Sequence, residues 1–302
     1  MKKKIISGIL AIATSIMLIG CENNTNTQTT NEESNKKINI MVSIYPLKEF
    51  ANEIAGDKAE ITSMVPDNME PHDYEPKTKD FESLIKSDAF IYNGLGLESW
   101  VNQVNEVIAD KDILIVDSSD GVDVRKEGDS TDPHCWLSLQ EAQKQAENIK
   151  DTLVKLDPDN KDYFEQNYET FTNKLEGLYS EYKEKFDEIP SKNFVTGHAA
   201  FGYLCRDFNL QQKSVENLFG EGEPTPKQLE ELVSFCKENN IKTIFSESLA
   251  SPKVSETLAK EVGAEVVPIM TLESNEDDKS YIEAMRYNLE EIYKCLSQES
   301  NA

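Results

Sequence analysis

The sequence predicts an α/β protein: two lobes with parallel sheets flanked by helices, joined by one long spine helix. Three observations lead there. Short apolar, β-prone runs alternate with helix-periodic stretches in both halves of the chain, as parallel sheets built from βαβ units require. Asn160 to Phe186 keeps helical spacing for about 27 residues with no proline and a single glycine, Gly177. The body from Lys37 onward, roughly 265 residues, is long enough for two units of ordinary domain size.

Taken in order, Ile38 to Ile44 is an apolar run expected as the first strand. Tyr45-Pro46-Leu47 then opens an amphipathic helix through Ile54, closed by Gly56-Asp57. Glu60 to Val65 reads as a second strand, Ser83 to Ser87 as part of a short helix, and Ala89 to Asn93 as a third strand stopped by Gly94-Leu95-Gly96. Trp100 to Ile108 is helical and Ile113 to Asp117 is a fourth strand. Leu139 to Leu156, rich in Ala, Glu and Gln, is a helix, and Asp157-Pro158-Asp159 is a break with N-cap chemistry. The spine carries Tyr163, Phe164, Tyr168, Phe171, Leu175, Leu178, Tyr182 and Phe186 near helical spacing and ends at Pro190. Beyond it come strands at Asn193–Thr196, Gln211–Val215, Thr243–Phe245 and Glu265–Ile269. Helices are expected from Phe201, from Thr225-Pro226 with proline in the first turn, over Pro252–Val262 and over Tyr281–Cys295.

The N-terminus is a targeting segment. Lys2, Lys3 and Lys4 precede a mostly apolar run, Ile5 to Ile19, that is too short and wrongly flanked to span a membrane. Leu18-Ile19-Gly20-Cys21 resembles a bacterial lipobox, which implies cleavage of residues 1–20 and lipidation of Cys21. Glu22 to Lys36 holds no aromatic or large aliphatic residue, so 21–36 is expected to be a tether. The expected organisation is thus 37–157 as an N-terminal lobe, 158–189 as the linking helix and 190–302 as a C-terminal lobe. Cleavage removes three lysines and no acid, taking the formal charge from −25 to −28. Such an excess argues against nucleic acid and anionic lipid as partners. The five cysteines are too widely spaced for a zinc knuckle or a disulfide scaffold, and a Cys205–Cys236 pair is left open.

The chain has three histidines, each in a short motif beside Pro or Gly: Glu70-Pro71-His72-Asp73-Tyr74, Asp132-Pro133-His134-Cys135-Trp136 and Thr196-Gly197-His198-Ala199-Ala200. All three fall in loops that follow strands, where open parallel sheets bind their ligands, two from the first half and one from the second. Pro71 and Pro133 restrict the backbone beside two of them. Three neutral imidazoles suit Zn2+. The fourth position is open to Glu273, the leading candidate after the last strand, to Glu247, to Glu70, or to water. Cys135 is expected to aim away. A zinc hydrolase with Glu247 as general base is disfavoured, because no HExxH-type ligand pair exists. Binding of a metal chelate is disfavoured by the scarcity of arginine, present only at 125, 206 and 286.

These segments, with Ser43-Ile44-Tyr45-Pro46-Leu47 and Tyr92-Asn93-Gly94-Leu95-Gly96-Leu97-Glu98, resemble the signatures of the zinc/manganese solute-binding proteins of ABC importers. The resemblance runs from about Lys37 to Leu296. It implies two lobes on a long helix with one metal between them, held by His72, His134 and His198, with Glu273 in the best-matching fourth place. It also implies an extracytoplasmic, lipid-anchored, non-enzymatic receptor, expected to be a monomer, that hands its ion to the transmembrane subunits of a permease. Zinc-specific members often carry a histidine-rich loop before the second ligand motif; here Ser118 to Thr131 is short and has no histidine. Manganese members tend to have a carboxylate where His198 stands, which favours Zn2+ over the alternative, Mn2+. A surface adhesin is a further alternative.

Overall fold

The strands sort into central and edge positions by their side-chain pattern. A computed structural model describes residues 37–220, 224–247 and 252–299. β1 (Ile38–Val42) is apolar and buried at four of five positions, as a strand covered on both faces must be. α1 (Tyr45–Ala55) returns the chain to β2 (Ala59–Ser63), where Ala59 and Ile61 point inward and Glu60 and Thr62 outward, the alternation of an edge. α2 (Thr78–Leu84), β3 (Ala89–Tyr92), α3 (Val101–Ile108) and β4 (Leu114–Asp117) complete a parallel sheet of order β2-β1-β3-β4.

A small antiparallel hairpin follows, β5 (Lys126–Glu127) with β6 (Ser130–Thr131), turning at Gly128. Two-residue strands carry no periodic signal, so the sequence alone predicts no structure in this stretch. α4 (Leu139–Leu156) and α5 (Lys161–Glu188) then run side by side. The second sheet, order β10-β9-β7-β8, is built from β7 (Asn193–Thr196), α6 (Gly202–Phe208), β8 (Gln211–Ser214), α7 (Pro226–Glu238), β9 (Thr243–Glu247), α8 (Pro252–Val262) and β10 (Glu265–Ile269). β9 is buried throughout, whereas β10 is an edge that tolerates Pro268. α9 (Tyr281–Glu299) closes the chain.

α5 is 28 residues long, about 42 Å. Phe164, Phe171, Leu175, Leu178, Tyr182 and Phe186 line its buried face, and it packs on α1, α4, α6 and α9. Phe171 lies 5.5 Å from the Phe50 ring of α1 and 6.5 Å from Tyr281 of α9. One apolar cluster therefore runs from Ile40 and Phe90 of the first sheet, through α5, to Phe194 and Phe245 of the second. A separate cluster around Val195, Ile244 and Leu258 fills the other face of the second sheet.

Three expectations are corrected. The short helix lies at Thr78–Leu84 rather than around Ser83–Ser87, because the Asp80 carboxylate accepts the Lys77 N–H at 2.7 Å and starts the helix there. The break after Leu156 is a 3-10 turn, Pro158–Asn160, but no side chain caps α5; the Asp157 carboxylate instead accepts from the Asn160 amide at 2.6 Å. Cys205 and Cys236 are not paired: Cys135, Cys205, Cys236 and Cys295 are all free and buried, and Cys205 and Cys236 sit in different apolar clusters. Among the described residues no helix is long and apolar enough to cross a membrane.

Phe171→Ala removes the ring through which α5 grips α1 and α9. It should cost about 3–5 kcal/mol of unfolding free energy, the range for truncating a buried aromatic. Urea denaturation of the metal-free protein measures this, and a loss below about 1 kcal/mol would contradict the role of α5 as the spine.

Candidate metal centre

The loops that leave the carboxyl ends of β2, β4, β7 and β10 converge between the two sheets. His72 lies in a turn after β2, where its backbone N–H donates to Glu70 Oε1 at 3.3 Å. His134 precedes a 3-10 turn, Cys135–Leu137, that runs into α4; Ser138 caps that helix by accepting the N–H groups of Gln140 and Glu141. His198 follows β7 directly, and its backbone N–H donates to Glu247 Oε1 at 3.0 Å. Glu273 follows β10, next to Leu272, a buried leucine held at φ +57°. A left-handed backbone at a bulky residue is a local strain that only the surrounding packing can hold.

The potential ligand atoms of His72, His134 and His198 all lie within 4.8 Å of one another. His72 Nε2 and His134 Nε2 are 3.1 Å apart, and Glu273 Oε1 is 3.5 Å from the first and 3.6 Å from the second. A tetrahedral zinc with ligands at 2.0–2.1 Å separates its donor atoms by about 3.3 Å. Glu273 Oε1 has no hydrogen-bond partner although it is buried; its other oxygen accepts from Thr271 Oγ1 at 2.8 Å. The His134–His198 and His72–His198 ring centroids are 4.9 and 5.6 Å apart. The side chains of His72, His134 and Glu273 are at most 2 % exposed, so the centre is closed to solvent. Neither the groove over β4 and α4 nor the one beside β8 and α7 is lined by any of the three histidines.

Neighbouring groups fix which ring nitrogen is free. His134 Nδ1 is 2.8 Å from Asp132 Oδ1 and therefore carries the proton, leaving Nε2 for a metal. His198 Nε2 is 2.8 Å from the Leu218 carbonyl, which can only accept, so Nδ1 is its free atom. His72 Nδ1 is buried without a partner, and its Nε2 faces the centre.

Burial alone would lower the pKa of His134, but the Asp132 and Glu273 carboxylates outweigh it and push it up to about 9. Burial and the nearby His134 charge push His198 down to about 4. Glu273 is held well below the usual carboxylate range, because the His134 and His72 imidazoles that face its Oε1 outweigh desolvation. Burial and the Glu273 charge push Glu70 up to about 8. His134 and His198 are thus pushed to opposite sides of the ordinary imidazole value.

Of the second-choice carboxylates, Glu70 groups with His72 and Glu273. Glu247 is not among the clustered groups; it supports the His198 backbone and faces Gly197, where a Cβ would stand 2.4 Å from its Oε2. Cys135 points to Asn93 Oδ1 at 3.7 Å. Cys21 lies outside the described residues. Sequence reasoning passed over Asp132 although it sits inside the second histidine motif. It also missed Asn93, whose amide donates to the Pro133 carbonyl at 2.9 Å, and Arg125, which donates to Asp132 Oδ2 at 2.6 Å. The usable signal for Arg125 was its rarity, since the chain has three arginines.

A closed cluster of imidazoles and a carboxylate between two parallel sheets, bridged by a long helix, defines a metal-binding solute receptor of an ABC importer. Residues 40–295 match the family described as ZnuA, zinc-uptake complex component A, periplasmic, and the chain belongs to that family. It is 34% identical to the high-affinity zinc uptake system protein ZnuA of Bacillus subtilis, over 96% of this chain and 97% of that one. It is 33% identical to a metal ABC transporter substrate-binding lipoprotein of Lactococcus lactis, over 98% of both. Among solved structures, the laminin-binding protein of Streptococcus agalactiae, described as bifunctional with adhesin and metal-transporting activity, superposes with a TM-score of 0.82 at 33% identity. That match covers 86% of this chain and all of the other. The chain is thus a binding protein of a transport family, not an enzyme.

With His134 protonated up to about pH 9 in the empty protein, zinc has to displace a proton at neutral pH. That proton stabilises the metal-free fold fully below the ordinary value of 6.5, and the contribution is lost as pH rises through about 9. Affinity should therefore fall about tenfold for each pH unit from pH 8 to pH 6, and the zinc-induced rise in Tm should be larger at pH 8. Titration calorimetry in two buffers of different ionisation enthalpy counts the protons, and a count of zero would refute this assignment.

Proposed function

We propose that this chain captures Zn2+ outside the cytoplasm and delivers it to the transmembrane subunits of an ABC permease. The ion is held by His72 Nε2, His134 Nε2, His198 Nδ1 and a Glu273 oxygen. The observation that carries this reading is the spacing of the His72, His134 and Glu273 donor atoms, 3.1–3.6 Å, close to the edges of a zinc tetrahedron. Three nitrogens and one oxygen favour Zn2+ over Mn2+, which prefers more oxygen. Zinc here is cargo, and the burial of its ligands means that capture and release require the site to open.

In this reading 37–157 and 190–302 are the lobes that enclose the ion, and 158–189 is the linking helix between them. Cys21 carries the lipid that tethers the receptor beside its permease, in keeping with the lipoprotein description of the Lactococcus lactis relative. The receptor works as a monomer. The description of the Streptococcus agalactiae protein makes an adhesin role the one addition worth testing alongside transport.

The test is elemental analysis of the tag-free mature chain, stripped of metal and dialysed against zinc and manganese at equal free concentrations. One zinc per chain is expected, lost when His72, His134 and His198 are all changed to Ala. Retention of manganese against zinc would overturn the choice of metal, and no stoichiometric metal would overturn the reading of the site.

A further inference from the structure

α6 begins four residues after His198, and one face of it is polar and turned towards the first half of the chain. Tyr203, Arg206 and Asp207, at positions i, i+3 and i+4, share that face. Every one of them reaches across to the first half of the chain. Arg206 donates to the Asp123 carbonyl at 2.9 Å and to Glu141 Oε1 at 2.5 Å. Asp207 Oδ2 accepts from Ser138 Oγ at 2.5 Å, the hydroxyl that caps α4.

Tyr203 makes the contact that bears on the metal. Its buried hydroxyl accepts the Arg125 N–H at 3.0 Å and donates to the Asp132 carbonyl at 3.1 Å. Arg125 and Asp132 are the two ends of the β5–β6 hairpin, joined by a backbone hydrogen bond of 3.1 Å. One hydroxyl therefore pins both ends. The Arg125 guanidinium lies against Gly202, where a Cβ would stand 2.1 Å from it, and holds Asp132 Oδ2. Asp132 Oδ1 in turn accepts both the backbone N–H and the Nδ1–H of His134, at 3.0 and 2.8 Å. The hairpin is thus strapped to the helix that follows His198, and through Asp132 it sets the angle of the His134 ring.

We propose that Tyr203 and Arg125 are positioning residues for metal retention: they latch the β5–β6 hairpin to α6, so that His134 and His198 hold the ion together and release it together. Neither residue touches the ion. The latch acts in the closed site, so its loss speeds release and leaves capture unchanged. The inference rests on the proposed zinc site.

The test uses Tyr203→Phe, which keeps the ring and removes only the hydroxyl, and Arg125→Gln, whose side chain is a quarter exposed and so tolerates change. Zinc dissociation is followed by stopped-flow competition with a chromophoric chelator, and association and metal-free melting are measured in parallel. Each variant should bind one zinc at the wild-type association rate and lose it about tenfold faster, the scale of one or two net hydrogen bonds. Dissociation at the wild-type rate in either folded variant would overturn the latch, even if melting falls, since a merely structural role would lower stability without touching release. A matching fall in association would overturn it too. If the wild-type chain itself holds no zinc, the reading of the site fails first and the latch falls with it.

Discussion

The hydrogen bond between Asp132 and His134 is the interaction on which the rest of the centre depends. A buried imidazole has to be told which nitrogen keeps its proton, and Asp132 Oδ1 at 2.8 Å from Nδ1 does so. A buried carboxylate needs its own compensation, which comes from the Arg125 guanidinium and the His134 backbone N–H. Asp132 is fully buried, and the His134 ring, then the His134 backbone N–H and Arg125, hold its pKa low against a desolvation that would raise it. Without the Asp132 hydrogen bond the ring that faces His72 and Glu273 would lose its orientation, and the donor atoms would no longer converge on one point.

The fold makes such convergence cheap. Parallel sheets put every strand's carboxyl end on one side, so loops distant in sequence meet without long detours. His72, His134 and His198 come from three such loops, and Glu273 from a fourth. α5 adds the second requirement, a fixed frame. Its apolar face joins α1, α4 and α9 in one cluster with both sheets, so distortion of that frame would have to break the same core that stabilises the chain.

Much of this was legible in the sequence. Central strands such as Ile38–Val42 are apolar at all but one position, Asn39, and α4, β7, α8 and β10 begin and end where their periodicity and breakers place them. The three histidines stood out because the chain has no others. Less was legible where the decisive contact is between residues far apart. Arg125 and Tyr203 are 78 positions apart, and nothing local marks either as a partner of the other. The β5–β6 hairpin has two-residue strands and no pattern to read. Glu247 had the right address, the end of a central strand, yet its carboxylate turns to the His198 backbone, which depends on the space Gly197 leaves. The start of α2 was misplaced because an aspartate three residues in, not a residue ahead of the helix, satisfies the first N–H.

The central claim is that one small, closed centre binds one zinc through a specified atom of each histidine. Anomalous diffraction from crystals of the zinc-loaded protein, collected on both sides of the zinc edge, tests it most directly. The account predicts a single peak about 2.0–2.2 Å from His72 Nε2, His134 Nε2, His198 Nδ1 and a Glu273 oxygen. A peak ligated through His198 Nε2, or one that leaves out His134 or Glu273, would contradict it.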